Sequence, residues 1–135
     1  MKLLIAFLIV PFLSFSQQAQ TPNSNPQKEN AIQGPAIKFI EESFDFGKIP
    51  QGKPVTHVFE FENTGNQPLL VSQATASCGC TTPVWTKEPV LPGKKGTVTV
   101  TFNAANEGTF IKTVTVLSNA TDPVYLSIKG TVEKK

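Results

Sequence analysis

The sequence predicts an all-β protein: a single immunoglobulin-like antiparallel β-sandwich of about seven strands. Apolar and polar residues alternate with a period of two in several short segments, which is typical of strands with one buried and one solvent-facing side. Turn-forming residues, mainly Gly, Pro and Asn, separate these segments at regular intervals. No window of the sequence has the apolar spacing of a helix.

The strands can be assigned in order along the chain. The first is short, the second contains Val58 as an apolar break in its polar side, and the third and fifth alternate less regularly than the others. Phe44 and Phe46 look like core residues that lead into a turn at Gly47. The predicted strands cover residues 36–41, 55–62, 69–76, 97–102, 110–117 and 124–129.

The N-terminus has the pattern of a secretory signal peptide. Lys2 precedes the apolar run 3–10, and the small residues Ser14 and Ser16 come before the polar Gln17. We expect cleavage after Ser16, with a retained membrane anchor as the alternative. The apolar run is shorter than the roughly 20 residues of a spanning helix, so we expect no integral membrane span after signal removal. This predicts an exported protein, located in the periplasm or outside the cell.

Composition divides the rest of the chain in two. Residues 17–35 are rich in Gln, Asn, Pro and Ser and predict a disordered leader, because such a segment cannot offset the entropy of ordering. Residues 36–133 are long enough for one domain with a real core. The formal net charge is +2 and the chain contains no arginine, the residue preferred for phosphate and base contacts. We therefore expect no nucleic-acid partner.

Cys78 and Cys80 are the only cysteines, and Gly79 separates them. In an extended strand such residues lie about 6.6 Å apart at Cα, so a bond between them needs a bend, which glycine permits. One interpretation is a small local disulfide. Its loop-closure entropy contributes only about 1.5 kcal/mol, which is too little to explain the motif by stability alone. Strain would also make the bond easy to reduce.

Three functional hypotheses compete with a purely local disulfide: thiol–disulfide exchange, a soft metal site, and attachment to another thiol. Redox pairs usually have two intervening residues at the start of a helix, and no helix is predicted here. Structural zinc needs four ligands, whereas the chain offers two thiols, His57 and carboxylates. His57 alternates with Phe59, which favours a packed, hydrogen-bonded histidine over a ligand. We expect neither a resident metal nor a cofactor.

Three residues after the cysteine pair are candidates for a binding surface: Thr81, Thr82 and Trp85. Trp85 has two interpretations, a binding anchor or a side chain that caps the sandwich beside the cysteine loop. The tripeptide 119–121 fits the N-glycosylation pattern, and we take it only as the sign of a surface loop.

An ordered series of short motifs carries a family resemblance. Over roughly residues 39–132 the chain resembles a bacterial family of unknown function with a Cys-Gly-Cys signature, DUF1573, which is similar to Hydin-type, major sperm protein and PapD-like modules. The resemblance implies an exported, non-enzymatic Ig-like sandwich and no established activity. The series comprises Phe44-Asp45-Phe46-Gly47, Gly52, Phe59-Glu60-Phe61-Glu62-Asn63-Thr64-Gly65, Pro68-Leu69, Ser77-Cys78-Gly79-Cys80-Thr81, Pro92-Gly93, Gly108-Thr109-Phe110, Ser118-Asn119 and Gly130.

These patterns favour a non-enzymatic module that acts in protein–protein binding or in envelope structure, with an unidentified protein as its partner. The alternative is a small thiol-redox or soft-metal-binding protein that uses Cys78 and Cys80. A weaker third hypothesis is a PapD-like chaperone that donates an edge strand. Such chaperones pair two domains and use basic residues in the cleft between them, whereas this sequence predicts one domain and has no arginine.

Overall fold

The computed structural model describes Pro11 and residues 33–135, and within them the chain forms eight β-strands and no helix. The predicted signal peptide, apart from Pro11, and leader residues 17–32 lie outside the described residues. The strands are β1 Ile37–Phe39, β2 Ser43–Pro50, β3 Val55–Asn63, β4 Val71–Ala76, β5 Thr81–Trp85, β6 Lys95–Phe102, β7 Gly108–Ser118 and β8 Val124–Glu133.

Two four-stranded sheets form the sandwich, which confirms the predicted fold class. Sheet I has the order β1-β3-β6-β5, and sheet II has the order β2-β8-β7-β4. All pairs are antiparallel except β2 and β8, which run parallel. The chain leaves sheet I after β1 and joins sheet II at β2, and this crossing brings the parallel pair together.

The core lies between the two sheets and follows the alternation in the sequence. In β6 the residues at positions 96, 98, 100 and 102 are buried while the threonines between them face outward. The aromatic rings of Phe102 and Phe110 stack across the core with centroids 4.0 Å apart. The fully buried large apolar side chains are Phe59, Phe61, Leu69, Val98, Val100, Val114, Val116, Leu126 and Ile128.

Two strands were not predicted as such, β2 and β5. Gly47 has a positive φ of 67° and lies where the register of β2 shifts. The local sequence therefore predicts a turn, although the strand continues past this irregularity. Phe44 and Phe46 pack against the core, as expected from the sequence. In β5, Pro83 interrupts the strand pattern, and proline is tolerated there because β5 is an edge strand.

Candidate functional site

Cys78 and Cys80 are joined by a disulfide in the turn between β4 and β5, with their Cα atoms 5.4 Å apart. This turn, residues 77–80, is called the cysteine turn below. It carries the chain from sheet II to sheet I. The Cα separation is smaller than the roughly 6.6 Å of an extended strand, so the chain bends at the bond as the sequence required.

Backbone hydrogen bonds hold both ends of the cysteine turn. The Ser77 N–H donates to the Thr113 carbonyl at 2.9 Å, and the Thr113 N–H donates to Ser77 Oγ at 3.3 Å. At the other end, the Asn103 N–H donates to the Cys80 carbonyl at 2.9 Å. A disulfide that closes three residues adds only about 1.5 kcal/mol of loop entropy. The hydrogen bonds therefore position this turn largely without help from the disulfide.

The surroundings of the two sulfurs differ. Both cysteines are half-buried, but Cys80 packs against the core, whereas Cys78 lies outside that cluster within residues 33–135. Cys80 also lines a cleft of about 140 Å³ between the end of β6 and the start of β7. Lys112 and Glu107 line the same cleft. Cys80 is thus the inner sulfur of the pair and Cys78 the outer one.

The hydroxyl of Thr81 contacts both sulfurs. Its Oγ1 lies 3.9 Å from Cys78 Sγ and 3.8 Å from Cys80 Sγ, within the range of weak hydrogen bonds to sulfur. The residue is only 4% exposed, so this hydroxyl is shielded from bulk water. The placement was not foreseen from the sequence, where Thr81 was a candidate for an outward binding surface.

The other two candidates of that surface have different positions. Thr82 is exposed on the outer side of β5. Trp85 is half-buried, and its Nε1–H donates to the Val71 carbonyl of β4 at 3.2 Å, which links the two sheets at this edge. The ammonium of Lys87 lies 3.1 Å from the centroid of the Trp85 ring, in a cation–π contact. The tryptophan therefore connects β5 with β4 at the edge of the sandwich, next to the cysteine turn.

The outer side of sheet I carries an apolar row that crosses the sheet. Val58 and Val84 both lie directly opposite Thr99, so the three side chains form one line over β3, β6 and β5. Ile40 follows β1 and lies in the neighbouring row, since its N–H donates to the carbonyl of Glu60, which is opposite Thr97. Ile40 is 66% exposed, Val58 49% and Val84 58%. These four residues, Ile40, Val58, Thr99 and Val84, are called the sheet I belt below.

A second row beside the belt consists only of threonines. Thr56 and Thr82 both lie opposite Thr101, and the Thr56 and Thr101 hydroxyls are 3.0 Å apart. On the other side of the belt, Lys95 and Glu60 form an exposed ion pair at 3.0 Å. The face is therefore uncharged in the middle and charged at one margin. Only Val58, as a break in a polar pattern, signalled the belt in the sequence.

His57 is packed and hydrogen-bonded, as its alternation with Phe59 predicted. Its Nε2 lies 2.6 Å from Glu41 Oε1, and its ring stacks on Phe44 with centroids 3.6 Å apart. Phe46 and Phe59 contact the same ring edge-on. The imidazole is enclosed by aromatic rings and capped by one carboxylate, far from the cysteine turn in the chain and on a different strand.

Over residues 33–135 and Pro11, no group of three or more His, Cys, Asp or Glu side chains is arranged to hold a metal ion. The same part of the chain contains no helix that is long and apolar enough to cross a membrane.

Solved structures with the same fold are distant in sequence. A protein of unknown function from Porphyromonas gingivalis W83 matches with a TM-score of 0.65 and 15% identity over 80% of this chain. The match covers 51% of that protein, so this chain spans about half its length. The ASH / PapD-like domain 7 of human CEP192 matches with a TM-score of 0.63 and 10% identity, over 87% of this chain and 98% of that one.

A chaperone shows the same likeness more weakly. The YadV chaperone matches with a TM-score of 0.53 and 15% identity, over 72% of this chain and 52% of that protein. At these identities the matches show the fold alone, a PapD-like member of the Ig-like sandwiches. No curated protein sequence matches the chain. The family description "Protein of unknown function (DUF1573)" matches residues 37–132, and the chain therefore belongs to that family.

Proposed function

We propose that this protein is an exported, non-enzymatic binding module that docks a partner protein on the outer side of sheet I. The observation that carries the proposal is the sheet I belt, in which the exposed Val58 and Val84 flank Thr99 on three adjacent strands and the exposed Ile40 lies in the neighbouring row. Contiguous exposed apolar surface of this kind marks interaction sites on soluble domains. Export follows from the signal-peptide pattern, and the partner is then another exported protein.

The chemistry of the face favours a protein surface as the ligand. The belt and the adjacent threonine row are uncharged, which suits apolar and hydroxyl contacts and does not suit a phosphate backbone. Val and Thr side chains have few rotamers, so little side-chain entropy is lost when a partner covers them. The partner that fits is a flat strand or sheet surface rich in β-branched or other apolar side chains.

The size of the belt sets the expected strength of binding. The whole outer side of sheet I, four strands about 4.8 Å apart with about five residues each, covers an area on the order of 300 Å², and the belt is only part of it. A stable interface needs roughly 800 Å² on each partner. Even the whole outer side of sheet I therefore supports only weak or transient binding, and a tight complex needs further contacts beyond the sheet margin.

The aromatic enclosure of His57 supports a non-enzymatic role. Its ring contacts Phe44, Phe46 and Phe59 and its Nε2 is occupied by Glu41, which is the arrangement of a structural histidine that joins β3 to β2. General acid–base chemistry needs a histidine whose nitrogen reaches a substrate.

Site-specific photo-crosslinking in producing cells tests the proposal. A photoreactive residue at Val58 or Val84 should cross-link to the same partner, whereas one at Ile111 should not. Ile111 is a matched control because it is 67% exposed but lies on sheet II, opposite the charged Lys129. Val58→Glu should then weaken capture of the identified partner, and Ile111→Glu should leave it unchanged. Equal cross-linking from Ile111, or full capture by the double variant V58E/V84E, would refute docking on this face.

A further inference from the structure

Gly79 is not explained by the backbone or by packing. Its φ lies outside the left-handed range, so an L-residue can adopt the same conformation. Apart from its chain neighbours Cys78 and Cys80, no residue has an atom within 4 Å of a Cβ built at Gly79. By contrast, a Cβ at Gly96 or Gly130 would overlap an aromatic ring. The rest of the fold thus leaves room for a side chain at position 79, and its absence keeps this side of the cysteine turn open to an approaching group.

The buried Thr81 hydroxyl is a second feature that the fold leaves unexplained. A disulfide sulfur is a weak hydrogen-bond acceptor, whereas a thiolate is a strong one. A shielded hydroxyl that contacts both sulfurs therefore forms its strongest hydrogen bond when one of the sulfurs becomes a thiolate. The cleft beside Cys80 adds a cation, Lys112, although the carboxylate of Glu107 lines it too. This arrangement favours the products of disulfide cleavage.

From these features we propose that the Cys78–Cys80 disulfide is a thiol–disulfide exchange site, attacked at the outer sulfur, that oxidises one dithiol of an exported protein per disulfide, a stoichiometric reaction without catalytic turnover. The site is separate from the sheet I belt and does not depend on the binding role. The hydrogen bonds from Thr113 and Asn103 keep the cysteine turn in place when the disulfide opens, so the exchange does not require unfolding.

The reaction balances in two steps. A thiolate of the dithiol attacks Cys78 Sγ, its sulfur bonds to Cys78, and the Cys78–Cys80 bond breaks with its electron pair leaving on Cys80 as a thiolate. The Thr81 O–H donates to that thiolate. The second thiolate of the dithiol then attacks its own partner sulfur in the mixed disulfide and releases Cys78 as a thiolate. The dithiol is oxidised to a disulfide, and the two cysteines, after taking up two protons, are reduced.

Glutathione, a monothiol, tests the first step on the oxidised mature chain. Samples quenched with acid and analysed by mass spectrometry should show glutathione on Cys78 and a free thiol at Cys80. The native chain should react at least as fast as the same chain in denaturant, because the site is open and its leaving thiolate is stabilised. Equal labelling of both cysteines, or a native rate about 100-fold slower than the denatured rate, would overturn the proposal.

Variants separate the role of each group. Thr81→Val should slow adduct formation about tenfold, the effect of losing one hydrogen bond to a developing charge. Thr81→Ser should restore the rate, and Thr82→Val, on the exposed neighbour, should leave it unchanged. Gly79→Leu should slow reaction with a protein dithiol while the melting temperature is retained. If Thr81→Val reacts like Thr82→Val, the hydroxyl has no part in the exchange. The V58E/V84E variant should form the glutathione adduct at the native rate. Failure of the binding proposal can therefore be distinguished from failure of the exchange proposal.

Discussion

Asn63 offers a sharp test of how the fold is held together, because its fully buried side chain uses every hydrogen-bonding position it has. Its Oδ1 accepts from the Gly65 N–H at 2.9 Å and the Ala36 N–H at 3.3 Å. Its Nδ2 donates to the Gln67 carbonyl at 2.7 Å and the Val90 carbonyl at 2.9 Å. One amide therefore joins the segment before β1, the β3–β4 connection and the β5–β6 connection.

Asn63→Ala removes all four bonds. At about 1 kcal/mol net for each bond, and less for the long one, the expected loss of unfolding free energy is about 3 kcal/mol. The Val90 carbonyl keeps a second donor, the Leu69 N–H at 2.9 Å, which limits the cost. Urea denaturation should show a lower midpoint with an unchanged m-value, and the melting temperature should fall by about 12–24 °C.

Two further variants check the reasoning. Asn63→Asp keeps both acceptor bonds but loses both donors and places a charge beside two carbonyl oxygens, so it should be at least as destabilising as alanine. Asn66→Ala removes one bond from an exposed side chain, the one from the Gly34 N–H at 2.7 Å, and should cost less than about 1 kcal/mol. A loss at N63A no larger than at N66A would show that water replaces the network and would refute the argument.

Three other predictions concern separate parts of the chain. Gly96→Ala should cost about 1–3 kcal/mol because its Cβ meets the Phe61 ring, whereas Gly79→Ala should leave the melting temperature unchanged. A chain that starts at residue 36 should be less stable than one that starts at residue 33 by about 1 kcal/mol, since it lacks the bonds between Gly34 and Asn66; equal melting temperatures would contradict this. Protein recovered from the envelope or the medium should lack the signal peptide on N-terminal sequencing, and an intact initiator methionine would contradict export.

Alternation and turn chemistry were enough to predict the fold because they are local properties. The six predicted strands coincide with observed strands to within a few residues, as for residues 97–102 and β6 Lys95–Phe102. The parallel pairing of β2 with β8 was not predictable, because it depends on residues about 80 positions apart in the chain. The same holds for β5, whose proline argues locally against a strand and is explained only by its place at the edge.

The candidate site, like the fold, could be predicted from the sequence only in part. The cysteine pair and its bend followed from spacing and strand geometry. The buried position of Thr81 could not be predicted from the sequence. Its burial depends on how the turn packs between β6 and β7 and not on the local sequence pattern. The belt needs the register of three strands, which aligns Val58 with Val84 through Thr99. A sequence pattern gives the outward side of each strand but not which outward residues meet.

The free edge of β5 is a place where a partner strand could pair with sheet I. The Thr86 N–H donates to the Thr97 carbonyl, so even-numbered residues of β5 direct their backbone groups to β6 and odd-numbered residues direct theirs outward. The middle outward position is Pro83, which has no N–H to offer an added strand. β8 is flanked by β2 and β7, so neither of its edges is free to pair with an added strand. Strand addition is thus opposed at β5 and at β8, which argues against the chaperone-like hypothesis at these two strands.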